Sequence, residues 1–589
     1  MTTHSYTSNP RKRWFHRNRW LLLAIAAIIA VAIIARLCTP QHAAVTDLGE
    51  DLPLDAHRVF VETITSSDAQ ARFRGELESL REALKIPGLS AGVVYDGRLI
   101  WAEGFGYADV EQGVAATADT PYGLASVTKP FAAFLLMRQV ENGRLDLDTP
   151  ISTFGLDLGN PDITVRHLLS HTSEGTPGSG YAYSGNRYSY LTSIIEQLYA
   201  DTFRNVLRKE ILGPLQMTNT ALNCGGCGID YLLASLPSDD PERAFEQVYH
   251  DEAIPYQFAP DYAVYPVPQP DYANAAAGLI SSVNDLAKFA AAIEADRLVS
   301  AETKNAMFTP TVLNSGANGP YGLGWFTETY NETKLIWHYG YGAYSTLFLM
   351  VPDLKLTLIV LGNTQNLSRP FTLGYEDASV LTSPFALAFY KTFVLQPRLD
   401  EPLPVIDWTA GRDSIVEQLT GITDPELRQL FEGELWTMRM MAAGVGDRTL
   451  GAQLLMAHTR AFPEFAMSQH DLYQVGVPGP RPQENWIQLT PDEAARWVGQ
   501  YRLDPAYAAS GLPAGFEVRV YGQQILAIDP VGGCQELFPQ TALRLAASST
   551  PDLYLNALEP EGLIVRIHID YGGTMMGAYD RVDSPSSPE

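Results

Sequence analysis

The chain has 589 residues, 46% hydrophobic and 18% charged, too long for one core and too apolar for disorder, so about three or four folded units are expected. Its formal net charge is -26, a field that repels polyanions, so a nucleic-acid partner is excluded unless a local basic patch supplies the contact.

The one basic patch is RKRWFHRNRW, with Arg11, Lys12, Arg13, Arg17 and Arg19, and it runs into the uncharged stretch WLLLAIAAIIAVAIIA at residues 20–35. Sixteen apolar residues fall short of the roughly 20 that span a bilayer, but Arg36 can snorkel and Leu37 and Cys38 extend the run. The reading is a basic tail over 1–19 and a transmembrane anchor over 20–38. The tail stays in the cytoplasm, which puts the rest of the chain on the periplasmic or extracellular side of the cell membrane. A cleaved signal peptide is the rival, but the exit ARLCTPQ has no small-x-small cleavage site. Arg36 and Leu37 before Cys38 also make a poor lipoprotein site.

Residues 39–55 read as a polar tether. Over 68–85 the apolar residues Phe73, Leu77, Leu80 and Leu84 recur at helical spacing. SAGVVYDGRLIWAEG follows, two apolar runs about Asp96-Gly97, which predicts a β-hairpin. LASVTKP (124–130) opens a helix that continues from Phe131 to Val140 and stops at Asn142-Gly143. Pro130 then falls in the first turn, where a missing N–H costs least. Residues 150–310 are helical and loop-rich. Within them YAYSGNRYSYL (181–191) sets Tyr183 ahead of a helix with apolar Tyr188, Leu191, Ile194, Ile195 and Leu198. KLIW, STLFLMV and LTLIVLG predict strands, the last two joined by a turn at Pro352-Asp353. Residues 413–470 are again helix-like, and VGVPGPRPQ (475–483) has the composition of a linker. Beyond it EVRVYG, QILAID and LIVRIHI suggest a small β-barrel or sandwich of about 100 residues. No internal repeat is present.

Of the four cysteines, Cys38 belongs to the anchor and Cys534 stands alone. Cys224 and Cys227 form NCGGCG, and in an exported domain a local disulfide is the expected state. A zinc ribbon needs a second pair, and a redox CxxC needs a strand-to-helix turn that does not flank it.

Ser126 and Lys129 lie three apart, one helical turn. A serine hydroxyl is a weak nucleophile until a base takes its proton, and a neutral lysine on the same face is suited to that. The lysine serves only if burial or neighbouring cations depress its pKa. Alone, Ser-x-x-Lys is a weak signal, equally a helix start with an incidental lysine. Two further stretches strengthen it. Tyr183 sits at a loop-to-helix junction from which a hydroxyl can enter a cleft. LIWHYGYG (335–342) puts His338 and Gly340 at a strand end, where glycine lets a substrate approach the strand edge.

SVTK, YSG and HYG in this order resemble the serine β-lactamase and penicillin-binding-protein superfamily, nearest its class C and DD-peptidase-like branch. ITVRHLLSHTSEG (163–175), ILGPLQMTNTAL (211–222), AAAGLISSVNDLAKF (275–289) and YGLGWF (321–326) resemble further stretches, so the likeness spans about 60–395. It implies an α+β fold (α/β sandwich), a β-lactamase/transpeptidase-like domain with an antiparallel sheet flanked by helices. The expected domains are a serine hydrolase domain over 56–397, a helical connecting region over 398–474, the linker, and a small β-barrel-like domain over 484–589. This last domain loosely resembles the lipocalin-like domain appended to related hydrolases. Supporting the catalytic domain is its preferred role, and ligand or cell-wall binding the sharper alternative.

The resemblance also assigns roles. Ser126 matches the acylated nucleophile, Lys129 the lysine that accepts or relays its proton, and Tyr183 the tyrosine that shares base duty and protonates the leaving group. His338 and Gly340 match the third motif beside the pocket. Family geometry puts the oxyanion hole at the backbone N–H groups of Ser126 and Tyr341, donors worth about 3 kcal/mol each in the transition state. The chain departs from the pattern twice. Gly185 stands where the second motif usually has asparagine, with Asn186 one place late, and His338 stands where a lysine often attracts the substrate carboxylate, although histidine is largely neutral at pH 7. Both changes weaken β-lactam hydrolysis and favour an esterase, amidase or D-amino-acid peptidase acting on a small-molecule or peptide substrate. The alternative is a sensing protein that captures a cell-wall peptide or β-lactam without turnover.

His167 and His171 are four apart, as a helical zinc pair would be. No HExxH glutamate or third ligand accompanies them, and in the resembled family this stretch is structural. No metal or cofactor is expected. Trp325 and Phe326 read as core rather than substrate platform.

Overall fold

The computed structural model describes residues 54–226, 229–258, 264–367, 379–399, 402–444, 448–462 and 489–582, the last apart from short stretches between its strands. The basic tail, the anchor 20–38, the tether up to residue 53 and the linker 475–483 lie outside the described residues. Among the described residues no helix is long and apolar enough to cross a membrane.

Helix α1 (Ser67–Ala83) starts where Ser66 accepts the Ala69 N–H, and its predicted stripe Phe73, Leu77 and Leu80 is buried. The hairpin follows as β1 (Gly88–Tyr95) and β2 (Arg98–Asp109). Asp96 and Gly97 take φ of 46° and 69°, the left-handed pair that a two-residue hairpin turn matched to strand twist requires. A short edge strand β3 (Val114–Ala115) pairs with β2.

More than two hundred residues then intervene before the sheet resumes with β4 (Phe326–Tyr330), β5 (Thr333–Tyr341), β6 (Ser345–Val351) and β7 (Leu356–Gly362). The order is β3-β2-β1-β7-β6-β5-β4, antiparallel throughout. Pairing of β1 with β7, Leu89 opposite Gly362, closes the two halves into one sheet.

The intervening segment carries the chemistry. Its helix α2 (Thr128–Glu141) is buried from Thr128 through Met137, and a helix apolar on all sides belongs inside a core. The Tyr183 loop leads into α3 (Gly185–Ser189) and α4 (Leu191–Tyr199), which bury Tyr188, Leu191, Ile194 and Ile195; Leu198 is only partly buried. Helix α5 (Val283–Glu294) stacks Phe289 on Phe131 of α2 at 3.8 Å between centroids and meets Phe348 of β6 edge-on at 6.1 Å. Trp325 and Phe326 are core, as expected.

The helical connecting region is no spacer. Its helices are α6 (Arg412–Thr420), α7 (Pro425–Gly444) and α8 (Arg448–Ala461). The Trp408 N–H donates to Ser79 Oγ of α1 at 2.6 Å. Lys391 Nζ meets Glu76 of α1 at 2.5 Å and Glu434 of α7 at 2.8 Å, all three side chains buried. Burial and the second carboxylate push Glu434 up to about 7, so one cation holds two acids away from water and ties the region to the sheet domain.

The C-terminal unit is a closed eight-stranded antiparallel barrel, each strand paired with the next: β8 (Gly499–Leu503), β9 (Gly515–Tyr521), β10 (Gln524–Ile528), β11 (Cys534–Thr541), β12 (Arg544–Ala547), β13 (Leu553–Leu558), β14 (Arg566–Tyr571) and β15 (Thr574–Arg581). Tyr501 opposite Arg581 closes the ring, and closure removes edge strands. Trp497, Tyr501, Ile525, Leu537, Leu545 and Ile567 share a buried cluster with further strand residues. A barrel of this size has room either for its own side chains or for one small ligand.

Candidate active site

Ser126 stands in a tight turn before α2 (Ala125–Val127). Ala125, the residue ahead of it, has φ +45°, a conformation costly to any residue with a Cβ and one that neighbours must hold in place. They do so on several sides. Thr128 Oγ1 donates to the Ala125 carbonyl at 2.8 Å and accepts the Leu279 N–H at 3.1 Å. The Leu124 N–H donates to the Leu279 carbonyl at 2.7 Å, and Thr346 Oγ1 of β6 donates to the Leu124 carbonyl at 3.0 Å.

Gly340 of β5 belongs to the same clamp. A Cβ added there would fall on the Leu124 carbonyl oxygen and Thr346 Oγ1, with the Ala125 Cβ at 3.2 Å. The expectation that this glycine admits substrate is corrected: the space is taken by the nucleophile's own turn. The missing side chain lets β5 press against residues 124 and 125.

Helix pitch brings Lys129 round beneath Ser126, and its Nζ donates to Ser126 Oγ at 2.8 Å and to the Ala276 carbonyl at 3.0 Å. Asn274 shapes the turn that offers this carbonyl, its Oδ1 accepting the Ala276 and Ala277 N–H groups at 2.9 and 3.2 Å. Lys129 is fully buried, and desolvation pulls its pKa down to about 7. At neutral pH a large share of this amine carries the free lone pair that a base needs.

Tyr183 comes in from the loop before α3, which the Ser184 N–H anchors by donating to His171 Nδ1 at 3.2 Å. Its ring lies 5.0 Å from Lys129 Nζ and 4.3 Å from the His171 ring. The hydroxyl is buried and near enough to Ser126 to be influenced by it, though short of hydrogen-bond geometry in this state. Burial raises its pKa well above the ordinary phenol value. Tyr183 therefore rests protonated, a proton carrier rather than a standing base.

His338 does not face the cleft. It is completely buried within β5, its Nδ1 2.8 Å from the Tyr339 carbonyl and its Nε2 2.9 Å from the Tyr321 hydroxyl. The carbonyl can only accept, so Nδ1 carries the proton and Nε2 accepts from Tyr321. Burial and the nearby Lys129 lower its pKa well below the usual imidazole value. It is a neutral buttress behind Tyr183, not a handle for substrate.

The paired-histidine metal reading also fails. His167 caps its own helix start, Nδ1 lying 3.1 Å from the Thr164 N–H. His171 has left the helix at φ +55° and serves the Tyr183 loop, so four-residue spacing does not put both imidazoles on one face. Among the described residues no group of His, Cys, Asp and Glu is arranged to hold a metal.

Ser126 and Lys129 open into a cleft of about 300 Å³, lined also by Gly185, Asn186 and Ser189, by Tyr341 at the end of β5 and by Gly342 and Ala343 just after it. Asn186, one place late for the motif, thus still reaches the cleft. The Tyr341 hydroxyl lies 3.4 Å from Gln365 Oε1. Cys224 is disulfide-bonded, and its expected partner Cys227 lies outside the described residues. Asn223, next to it, lines the cleft.

Sequence reasoning missed one lining residue with chemical weight. Glu252 is buried to 6% exposure, and its Oε1 has no hydrogen-bond partner. Desolvation, with the charge of Asp271 nearby, raises its pKa to about 8.

Residues 73–381 match the family model described as Beta-lactamase. The chain belongs to the beta-lactamase family. It is 25% identical over 311 residues to penicillin-binding protein 4* of Bacillus subtilis, a match covering 46% of this chain and 66% of that one. It is equally 25% identical over 359 residues to protein flp of Staphylococcus aureus (strain MW2), covering 54% and 67%. The matches thus span about two thirds of these relatives' own lengths. Among solved structures, the octameric penicillin-binding protein homologue from Pyrococcus abyssi is 20% identical with a TM-score of 0.47, covering 85% of this chain and 97% of that one. The Ser-x-x-Lys turn and the seven-stranded antiparallel sheet lie inside the family match.

Proposed function

We propose that this family member is a serine hydrolase that forms an acyl-enzyme at Ser126 and hydrolyses an ester, amide or D-amino-acid peptide bond. One observation carries the reading: a fully buried lysine, its pKa brought to about 7, within 2.8 Å of a cleft-facing serine oxygen.

In that reading neutral Lys129 takes the Ser126 proton as Oγ attacks the substrate carbonyl, and the negative charge that develops on the carbonyl oxygen is met by backbone donors at Ser126 and Tyr341. The proton then passes by way of Tyr183, which stays protonated at rest, to the leaving group. Water enters, gives its proton back along the same path and releases the acid. Binding without turnover is disfavoured, because a capture site has no use for a lysine kept uncharged at the cost of burial. Residues 20–38 would tether the domain to the cell membrane on its outer side, the basic tail remaining inside.

Labelling with a fluorescent phosphonate tests the nucleophile. Wild type should label and Ser126→Ala should not; equal labelling sinks the assignment. Multiple turnover of p-nitrophenyl esters, reduced on the order of hundredfold or more in Lys129→Ala, separates hydrolysis from capture.

A further inference from the structure

Glu252 is a buried acid that the proposed chemistry does not use. Its neighbour Asp251 is exposed, whereas Glu252 turns inward because the Ala253 N–H donates to the Pro121 carbonyl at 2.9 Å, which draws this segment against the strand leading to Ser126. The Tyr344 hydroxyl stands beside the carboxyl group but also donates to the Ala253 carbonyl at 2.5 Å, and Oε1 remains without a partner. Gly123, three residues before the nucleophile, leaves room beside this oxygen, which is itself buried. A Cβ there would lie 3.4 Å from Oε1 and would strike the Tyr344 ring at 2.6 Å.

The charges lining the cleft are lopsided. Among the described residues Lys129 is its only basic side chain and Glu252 its only acid. Lys129 is already committed to Ser126 and the Ala276 carbonyl. Among the described residues a substrate carboxylate would find no free cation, while the unpartnered Oε1 of a buried carboxyl group is a cost that an incoming hydrogen-bond donor relieves.

From this geometry we propose that the cleft selects substrates carrying a protonated amine, held by Glu252 Oε1 as the ester or amide carbonyl meets Ser126. The inference rests on the hydrolase reading for its substrate but not for its binding chemistry. An approaching ammonium also favours ionisation of an acid that burial otherwise keeps largely protonated near neutral pH.

Two measurements on the full chain test it. The first is calorimetric binding of benzylamine against benzyl alcohol, a pair of one shape in which only the amine is charged. Wild type should bind the amine at least about tenfold more tightly, the scale of one hydrogen bond between charged groups, and Glu252→Gln, nearly isosteric, should erase the difference. The second is the ratio of kcat/KM between free-amine and N-acetylated members of two p-nitrophenyl or p-nitroanilide pairs, one with the amine in the acyl part and one with it in the leaving group. In at least one pair the ratio should exceed about ten and collapse in Glu252→Gln, whatever happens to absolute rates. Equal binding of amine and alcohol by wild type overturns the proposal without any variant, and so does a ratio that Glu252→Gln leaves intact. If Ser126 fails to label while the amine preference holds, the hydrolase reading falls and this one stands.

Discussion

The pH dependence of acylation follows from the buried lysine. Lys129 takes the Ser126 proton only when neutral, and with its pKa at about 7 the neutral fraction is about one half at pH 7, about one tenth at pH 6 and about one hundredth at pH 5. Pseudo-first-order labelling by a fluorescent phosphonate should therefore rise about tenfold per pH unit below pH 6 and level off above roughly pH 8. A lysine at its ordinary 10.5 would be neutral in about one molecule in 3,000 at pH 7, and the rate would climb tenfold per unit through pH 9. The same displacement enters the stability of the fold. The folded value lies below the unfolded one, so between about pH 7 and 10.5 the unfolded chain binds more protons and stability rises with pH across that window. The gap corresponds to roughly 5 kcal/mol. The assay is labelling of the full chain from pH 5 to 10 at constant ionic strength. An inflection at pH 9 or above would refute the desolvation argument, and a flat profile down to pH 5 would refute Lys129 as the base.

Lys129→Met should abolish turnover and flatten the wild-type rise in melting temperature between pH 7 and 10, read by scanning calorimetry. Gly340→Ala must displace β5 or the Ser126 turn by about 1 Å; turnover should fall on the order of hundredfold while stability drops by about 1–3 kcal/mol, measured by ester hydrolysis and urea unfolding. Lys391→Met leaves Glu76 and Glu434 buried without their cation and should cost about 3–5 kcal/mol in urea unfolding, most of it recovered when both acids are also replaced by apolar residues of similar size.

Much of the site was readable because it is local. Three residues make nearly one helical turn, so Ser126 and Lys129 had to share a face once the helix was recognised, and the left-handed Asp96-Gly97 turn fixes its hairpin without help from elsewhere. What escaped depends on distant contacts. His338 lies in a stretch of strand, Leu335 to Gly340, that is buried or half-buried throughout and carries no formal charge, so alternation cannot say which face meets the cleft. Gly340 announced a close approach but not that the approaching group was the Leu124 carbonyl, more than two hundred positions away. Asp251 and Glu252 are indistinguishable in sequence, and only the pairing of Ala253 with Pro121 sends one outward and the other in. Lys391 likewise gives no sign that its partners lie at positions 76 and 434.

Because β1 pairs with β7 across 260 intervening residues, the order of synthesis matters. The first hairpin and the reactive serine leave the ribosome long before the strand that completes their sheet, and until residue 362 has emerged β1 presents an unpaired edge, open to other chains. The barrel's interval is much shorter, since seven of its eight pairings join sequence neighbours and only β8 waits, over about 70 residues, for β15 to close the ring. The slow, vulnerable stage in making this protein is thus assembly of the half that carries the chemistry.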